Sequence, residues 1–408
     1  MQDKHRIEVL IHDRGPISRV GIYKITQLRR STISLLTRQL LSEGKLIEVG
    51  RSDNPLGRKQ VLLQINPKFG FIVGVEFDDE HVTAGIMDLE PAVIKVISEP
   101  TNLKHGQEGL LRQLKEIVRR LVAEAQLPWS RLIGIGIADP GLVDTREGMT
   151  VSCSTIDFWN QVPLRRLFED EFKVPTLIES KTRTKTIAES ALGGGEKQRN
   201  MIYLDYGTGI GAGVIVDGRL LYGHNCGVGE VGHTNILKSG PTCKCGSNGC
   251  LEALAGANAV ENRVHKALAE GVSSQHLAGK DPALITAWQV FEGAAAGDKL
   301  CWNIVAEVAE DIGIAVANLV NLFNPSVIVL DYRLRSAGSE FLSLISRIVK
   351  SKALASSASA LSLRFADVDR ESGLLGVGIQ ILESHFSQAL ATAPVSDTAR
   401  KPAKKRSK

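Results

Sequence analysis

Cys243, Cys245 and Cys250 fall within eight residues, and His233 stands ten residues before the first of them. Three thiolates and one imidazole form the donor set of a closed tetrahedral zinc site, which leaves no open position for a catalytic water. Gly246 and Gly249 lie between the sulfur donors, where they let the loop fold back so that the sulfurs converge. Cys243 and Cys245 are too close to pair comfortably as a disulfide, and a reducing cytosol disfavours one. The expectation is therefore a structural zinc on His233, Cys243, Cys245 and Cys250, set against a simpler reading of free buried thiols. Cys153, Cys226 and Cys301 have no such company and read as packing residues.

A second stretch, Gly207 to Gly213, carries glycine at every other position. A dinucleotide loop would lead into a helix whose N-terminus meets the pyrophosphate. Here the glycines run into an apolar strand, Val214 to Val216, and an Asp217-Gly218 hairpin turn. What remains is a β-turn whose amides could cradle a phosphate, as in two-lobed phosphotransferases, or a glycine hairpin with no ligand at all.

The elements that position these groups belong to a long α/β segment. Phe71–Glu76 and Val82–Met87 read as paired strands, followed by an amphipathic helix through Leu110, Leu114, Ile117, Val118 and Leu121 and a buried strand, Leu132–Ile137. The order recurs as strand Met201–Tyr206, the glycine turn, strand Val214–Val216, helices between about 256 and 323, and buried strand Val327–Leu330. Two copies of one order imply duplicated α/β lobes facing a cleft, over residues 67–387. The lobes are expected at about 67–190 plus the C-terminal helix, and at about 191–365.

Ahead of this body lies a different composition. Residues 1–66 carry 12 Lys and Arg against 6 Asp and Glu, and residues 391–408 carry 6 against 1, while the whole chain is only +4, so the middle is acidic. A basic head on an acidic body points to a polyanion partner for the head, and nucleic acid fits better than a membrane surface. The tail, 388–408, is of low complexity and reads as a disordered solvated end.

In the head, Ile7, Leu10 and Ile11 define a first helix ended by Gly15-Pro16. Ser18 caps a second that buries Val20, Ile22 and Ile25, and a third begins near Ser31 with Ile33, Leu36, Leu40 and Leu41 at core spacing. Two extended runs, Leu46–Arg51 and Gln60–Ile65, flank a turn-forming segment with Asn54, Pro55 and Gly57 and make a hairpin wing. The pattern is a winged helix-turn-helix over residues 1–66. Arg29, Arg30, Ser31, Thr32, Ser34 and Arg38 would face double-stranded DNA from the third helix, and Arg58 and Lys59 from the wing. The competing reading is a small helical bundle with solvated cations. Gly21 is the flaw, since a Glu there would complete a capping box. No run is long enough for a membrane span and the N-terminus lacks a signal-peptide pattern, so a cytoplasmic protein is expected.

Taken together, these pieces resemble the ROK family, which groups repressors and sugar kinases, and in particular its repressor branch with an N-terminal winged helix. The resemblance runs to about residue 387 and is carried most specifically by Gly229-Glu230-Val231-Gly232-His233 and by Cys243-Lys244-Cys245-Gly246-Ser247-Asn248-Gly249-Cys250-Leu251-Glu252. Gly57-Arg58-Lys59, Ala138-Asp139-Pro140-Gly141, Trp159 to Leu164 and Asn324-Pro325 add to it. It implies a two-lobed actin/hexokinase-like domain in which the His and three Cys bind zinc while Glu230, His233 and Glu252 contact a sugar. Gln161 and Lys181 take positions where the family's kinases carry Asn and Asp.

The departures from the kinases bear on activity. The phosphate loop Asp-x-Gly-Gly-Thr is replaced by Glu76-Phe77-Asp78-Asp79-Glu80, the Asn-Asp pair holding the catalytic base by Ser180-Lys181, and the late Gly-Gly by Asp331-Tyr332. Acid repels phosphate, and a protonated Lys accepts no proton from a sugar hydroxyl. The expectation is a non-catalytic regulator, a homodimer or homotetramer, binding an operator and sensing a sugar or sugar derivative. Lys181 and Arg183 would favour an anionic effector if they face the cleft, or would simply pair with nearby acids.

Overall fold

The computed structural model describes residues 2–52, 59–194 and 198–391. The chain divides into two compact units, Met1–Gly70 together with the chain from Leu382 onward, and Phe71–Ile381.

The first unit begins with α1 (Gln2–Arg14), β1 (Ile17–Ser18), α2 (Arg19–Thr26), α3 (Arg30–Ser42), β2 (Leu46–Arg51) and β3 (Val61–Ile65). Ile7, Ile11, Ile22, Ile33, Leu40, Leu46 and Leu63 form its buried core. Ser18 caps α2 by accepting the amide of Gly21 at 3.1 Å. A Cβ at Gly21 would lie 2.7 Å from Ile17 Cγ1, so the missing side chain is a packing requirement where a capping Glu was looked for.

Val20 and Ile25, expected inside, are 37% and 47% exposed. Helix α2 has only eight residues and buries the single line Ile22 and Thr26, one turn apart. On α3 the polar Thr37 is fully buried. Its hydroxyl donates to the Ile33 carbonyl at 2.8 Å and accepts from Arg19 Nε at 3.0 Å. The two expected hairpin strands pair antiparallel, Leu46 opposite Ile65, and β3 also pairs with the two-residue β1, which the sequence reading missed. Arg58 lies outside the described residues, as do most of the intervening segment and residues 392–408.

The second unit holds two five-stranded sheets built on one plan. The first contains β4 (Phe71–Phe77), β5 (His81–Met87), β6 (Val93–Pro100), β7 (Leu132–Asp139) and β10 (Thr176–Ser180), with a small hairpin of β8 (Leu142–Asp144) and β9 (Met149–Ser152) between the last two in sequence. The second contains β11 (Met201–Tyr206), β12 (Ile210–Val216), β13 (Arg219–Leu220), β14 (Val327–Leu330) and β15 (Ser362–Phe365).

Strand orders are β10-β7-β4-β5-β6 and β13-β12-β11-β14-β15. In each, three consecutive strands form an antiparallel meander and two later strands add in parallel beside the first. The expected duplication is therefore present strand for strand.

Helix α4 (Gly106–Glu124) covers the first sheet through Leu110, Leu114, Ile117, Val118 and Leu121. Two helices flank its last strand, α5 (Leu164–Phe172) and α6 (Lys181–Leu192). The second lobe adds α7 (Leu251–Ala255), α8 (Ala257–Ala269), α9 (Ala287–Ala295), the long α10 (Lys299–Phe323), α11 (Gly338–Lys352) and α12 (Ala355–Ala360). Helix α13 (Ser372–Ala391) closes the described chain. Among the described residues no helix is long and apolar enough to cross a membrane.

Candidate metal centre and ligand cleft

His233 ends a short 3-10 turn, Val231–His233, and the three cysteines sit on the loop that returns to α7. The ligand atoms of His233, Cys243, Cys245 and Cys250 all lie within 4.8 Å of one another. His233 Nδ1 is 3.6 Å from Cys243 Sγ, and Cys245 Sγ is 3.7 Å from Cys250 Sγ. A regular tetrahedron with bonds of ~2.3 Å has edges of about 3.8 Å, so this set already has the spacing of ligands around one ion.

The loop reaches that geometry through its own backbone. The Cys243 amide donates to Ser247 O at 2.7 Å and the Gly246 amide to Cys243 O at 2.9 Å. Gly249 adopts φ 69°, and a Cβ there would lie 1.8 Å from the Leu237 carbonyl. These four residues can hold a metal. The remaining cysteines, Cys153, Cys226 and Cys301, are buried.

A small cleft of about 30 Å³ lies between the lobes, lined from one side by Gly141, Ser180, Thr182 and Arg183 and from the other by Gly211 and Glu230. Glu230 is exposed toward solvent, yet desolvation by its surroundings raises its carboxyl above its usual range against the pull of His233 and Arg183. Its side chain makes no hydrogen bond or ion pair with the described residues, so it faces the cleft as a free acceptor. A Cβ at Gly229 (φ 101°) would lie 1.7 Å from Ala212 O, so only glycine lets the backbone bring Glu230 to this position.

The other expected ligand contacts are placed differently. His233 is directed at Cys243. Glu252, on α7, accepts the Ile210 amide at 3.1 Å and so braces the glycine turn. Gln161 is exposed, with its amide donated to Val151 O at 3.1 Å.

Lys181 is not among the residues lining this pocket. Its Nζ lies 2.7 Å from Asp78 Oδ2 and 3.8 Å from Glu76 Oε1. Arg183 borders the cleft, but its guanidinium bonds Glu179 at 2.6 Å and the Cys226 carbonyl at 2.8 Å and packs over the Tyr222 ring. Pairing with nearby acids is thus the arrangement found, and neither cation has an unspent charge for an anionic effector.

Lys181 belongs to a larger lattice that sequence reading did not assemble. Lys185 Nζ lies 2.7 Å from Asp205 and 3.0 Å from Asp331. Arg333 bonds Asp331 at 2.9 Å and the Tyr206 carbonyl, and stacks over Trp288. Its guanidinium also lies 3.3 Å from where a Gly207 Cβ would be, and so covers the first residue of the glycine turn. Thr182 and Tyr203 donate to Asp205 and Asp331.

Burial would lower the Lys181 pKa, but Asp78, Glu76 and Asp205 together hold it above its usual value. Asp78 shows the converse: burial would raise it, and Lys181 keeps it well below. Burial raises Glu76 despite Lys181 and Lys185. The signal available in sequence was charge inside apolar strands, Asp205 in β11 and Asp331 directly after β14, together with lysines one turn apart on α6.

The ROK family pattern matches residues 72–383. A xylose repressor of Caldicellulosiruptor bescii is 31% identical over 379 residues, which is 92% of this chain and 94% of that protein. Among solved structures, a ROK family transcriptional regulator described as a homologue of the E. coli MLC protein matches with a TM-score of 0.81 at 25% identity, over 96% of this chain and 97% of that one. A ROK family glucokinase from Streptomyces griseus, solved with glucose and AMPPNP, shares the fold with a TM-score of 0.68 at 23% identity. It is covered over 99% of its own length but only 76% of this chain. The protein belongs to the ROK family.

Proposed function

We propose that this protein is a DNA-binding transcriptional repressor of carbohydrate genes, whose two-lobed domain senses a sugar or sugar derivative and does not phosphorylate it. The repressor relative extends over nearly the whole chain, whereas the glucokinase structure leaves about a quarter of it unmatched. The unmatched share is large enough to hold the basic first unit. Its three helices and antiparallel hairpin have the order of a winged helix-turn-helix, in which α3 enters the major groove of an operator. Ser31, Ser34 and Arg38 are exposed on α3, with Thr32 half-buried, and Arg29, Arg30 and Lys59 are exposed nearby. A homodimer or homotetramer would present two such heads to paired half-sites.

The observation that carries the non-catalytic reading is Lys181. A family kinase needs a carboxylate base there, and this chain has a protonated ammonium tied to Asp78. Arg333 lies over the glycine turn where phosphate amides would be needed, and four acids occupy the surrounding space. Glu230, free and facing the cleft, suits the hydroxyls of a neutral sugar better than an anion. The metal is a structural zinc that fixes the loop between Glu230 and Glu252.

Titration of the purified protein against its own upstream DNA, with and without a panel of sugars and sugar phosphates, tests the reading. Salt-dependent, sequence-specific retardation that a sugar modulates is expected. Failure to retard any specific fragment overturns the repressor reading, and ATP-dependent phosphorylation of a sugar overturns the non-catalytic one.

A further inference from the structure

Leu35 stands out on α3 as a large apolar side chain, 54% exposed, in the middle of an otherwise polar face. The core-facing positions of the helix are Ile33, Thr37 and Leu40, all buried, and Leu36 is half-buried. Leu35 follows Ser31 by four positions and precedes Arg38 by three. The three therefore share one stripe, with Ser34 beside it and Gln39 exposed further along. Leaving an isobutyl group in water on a thirteen-residue helix gives up the stabilisation that burial would bring.

The charges around it identify what covers it. In the first unit Lys4, Arg19 and Lys45 are held by Glu43, Glu48 and Glu8, while Arg6, Arg14, Lys24, Arg51 and Lys59 are exposed and make no ion pair with the described residues. Arg29 and Arg38, on either side of Leu35, are exposed and make no ion pair with the described residues. An apolar tip between unspent arginines suits a surface that is anionic at its edges and apolar at its centre. A DNA major groove has that character, with phosphates along both rims and thymine presenting a 5-methyl group on its floor. Ser31 and Ser34 are small enough to let the helix approach that floor.

We infer that Leu35 reads thymine by covering its 5-methyl group, so that the operator carries a thymine in each half-site that cannot be exchanged for a pyrimidine lacking the methyl. The inference rests on the DNA-binding reading above. It assigns base discrimination to an apolar contact at Leu35, while Arg29 and Arg38 supply phosphate attraction that does not depend on sequence.

The test uses the full-length protein and the upstream fragment it retards, with each thymine replaced in turn by deoxyuridine, which removes only the methyl. One replacement per half-site is expected to weaken binding about 4-fold, the worth of one buried methyl group. Leu35→Ala should bind thymine and deoxyuridine fragments equally, at the weakened level, with unchanged affinity for unrelated DNA and an unchanged melting temperature. Leu35→Met should retain the preference. Indifference of the parent protein to every replacement, or persistence of the preference in Leu35→Ala, would overturn the inference while leaving DNA binding intact. A change of oligomeric state in Leu35→Ala by sedimentation would assign the residue to a contact between copies instead. If the parent protein retards no specific fragment, it is the DNA-binding reading that fails.

Discussion

At the scale of single residues, the charge cluster around Lys181 is governed by desolvation. Glu76 is held above its usual 4.5 because burial penalises its charge more than Lys181 and Lys185 repay. A carboxyl whose folded pKa is raised contributes its stability fully below 4.5 and loses it as the pH rises. Glu76→Gln is therefore expected to melt like the parent below pH 4.5 and at a higher temperature than the parent at pH 8; equal melting temperatures at both pH values would refute this. Lys185 presents the opposite case, because its removal strands Asp205 and Asp331 in the interior. Lys185→Met should cost about 3–5 kcal/mol in denaturant unfolding, as expected for breaking a buried pair from one side. A loss below about 1 kcal/mol would mean that Arg333 alone neutralises both acids.

At the scale of elements, α3 and the metal loop make separable contributions. Arg38 is exposed and unpaired, so Arg38→Ala should weaken operator and unrelated DNA alike and reduce the slope of log affinity against log salt by about 1. An unchanged slope would place Arg38 away from the phosphates. The metal loop depends on Gly249, whose φ of 69° and close approach to Leu237 O no other residue accommodates without movement. Native mass spectrometry is expected to show one metal ion per chain in the parent and none in Cys245→Ser, whose two-lobed unit should also melt at a lower temperature. Retention of one zinc per chain would exclude Cys245 as a ligand. Because Glu252 on α7 and Glu230 flank this loop, the same variant is also expected to weaken any sugar response.

At the scale of the whole molecule, periodicity and composition made the architecture readable. Apolar runs in β4, β7, β11 and β14 are continuous because both faces of those strands are covered, and their repeated order revealed two equivalent lobes. The edge strands β6, β13 and β15 were missed because a half-exposed edge carries no such run. The metal donors were readable for a different reason: ligands to one ion sit close in sequence, so residue type and spacing stand in for distance. The surroundings of the cleft were not. Lys181 and Asp78 are 103 residues apart and Lys185 and Asp331 are 146 apart, and only the meeting of the two sheets makes them partners. Val20 and Ile25 were misplaced because an eight-residue helix buries one narrow line, and which line is set by its neighbours. The sequence by itself determined the repeated order of the central strands, the His and Cys donor set and the absence of a carboxylate at position 181. Only the tertiary structure decided that Lys181 and Arg183 are spent on internal acids while Glu230 stays free, since charge is satisfied by proximity in space.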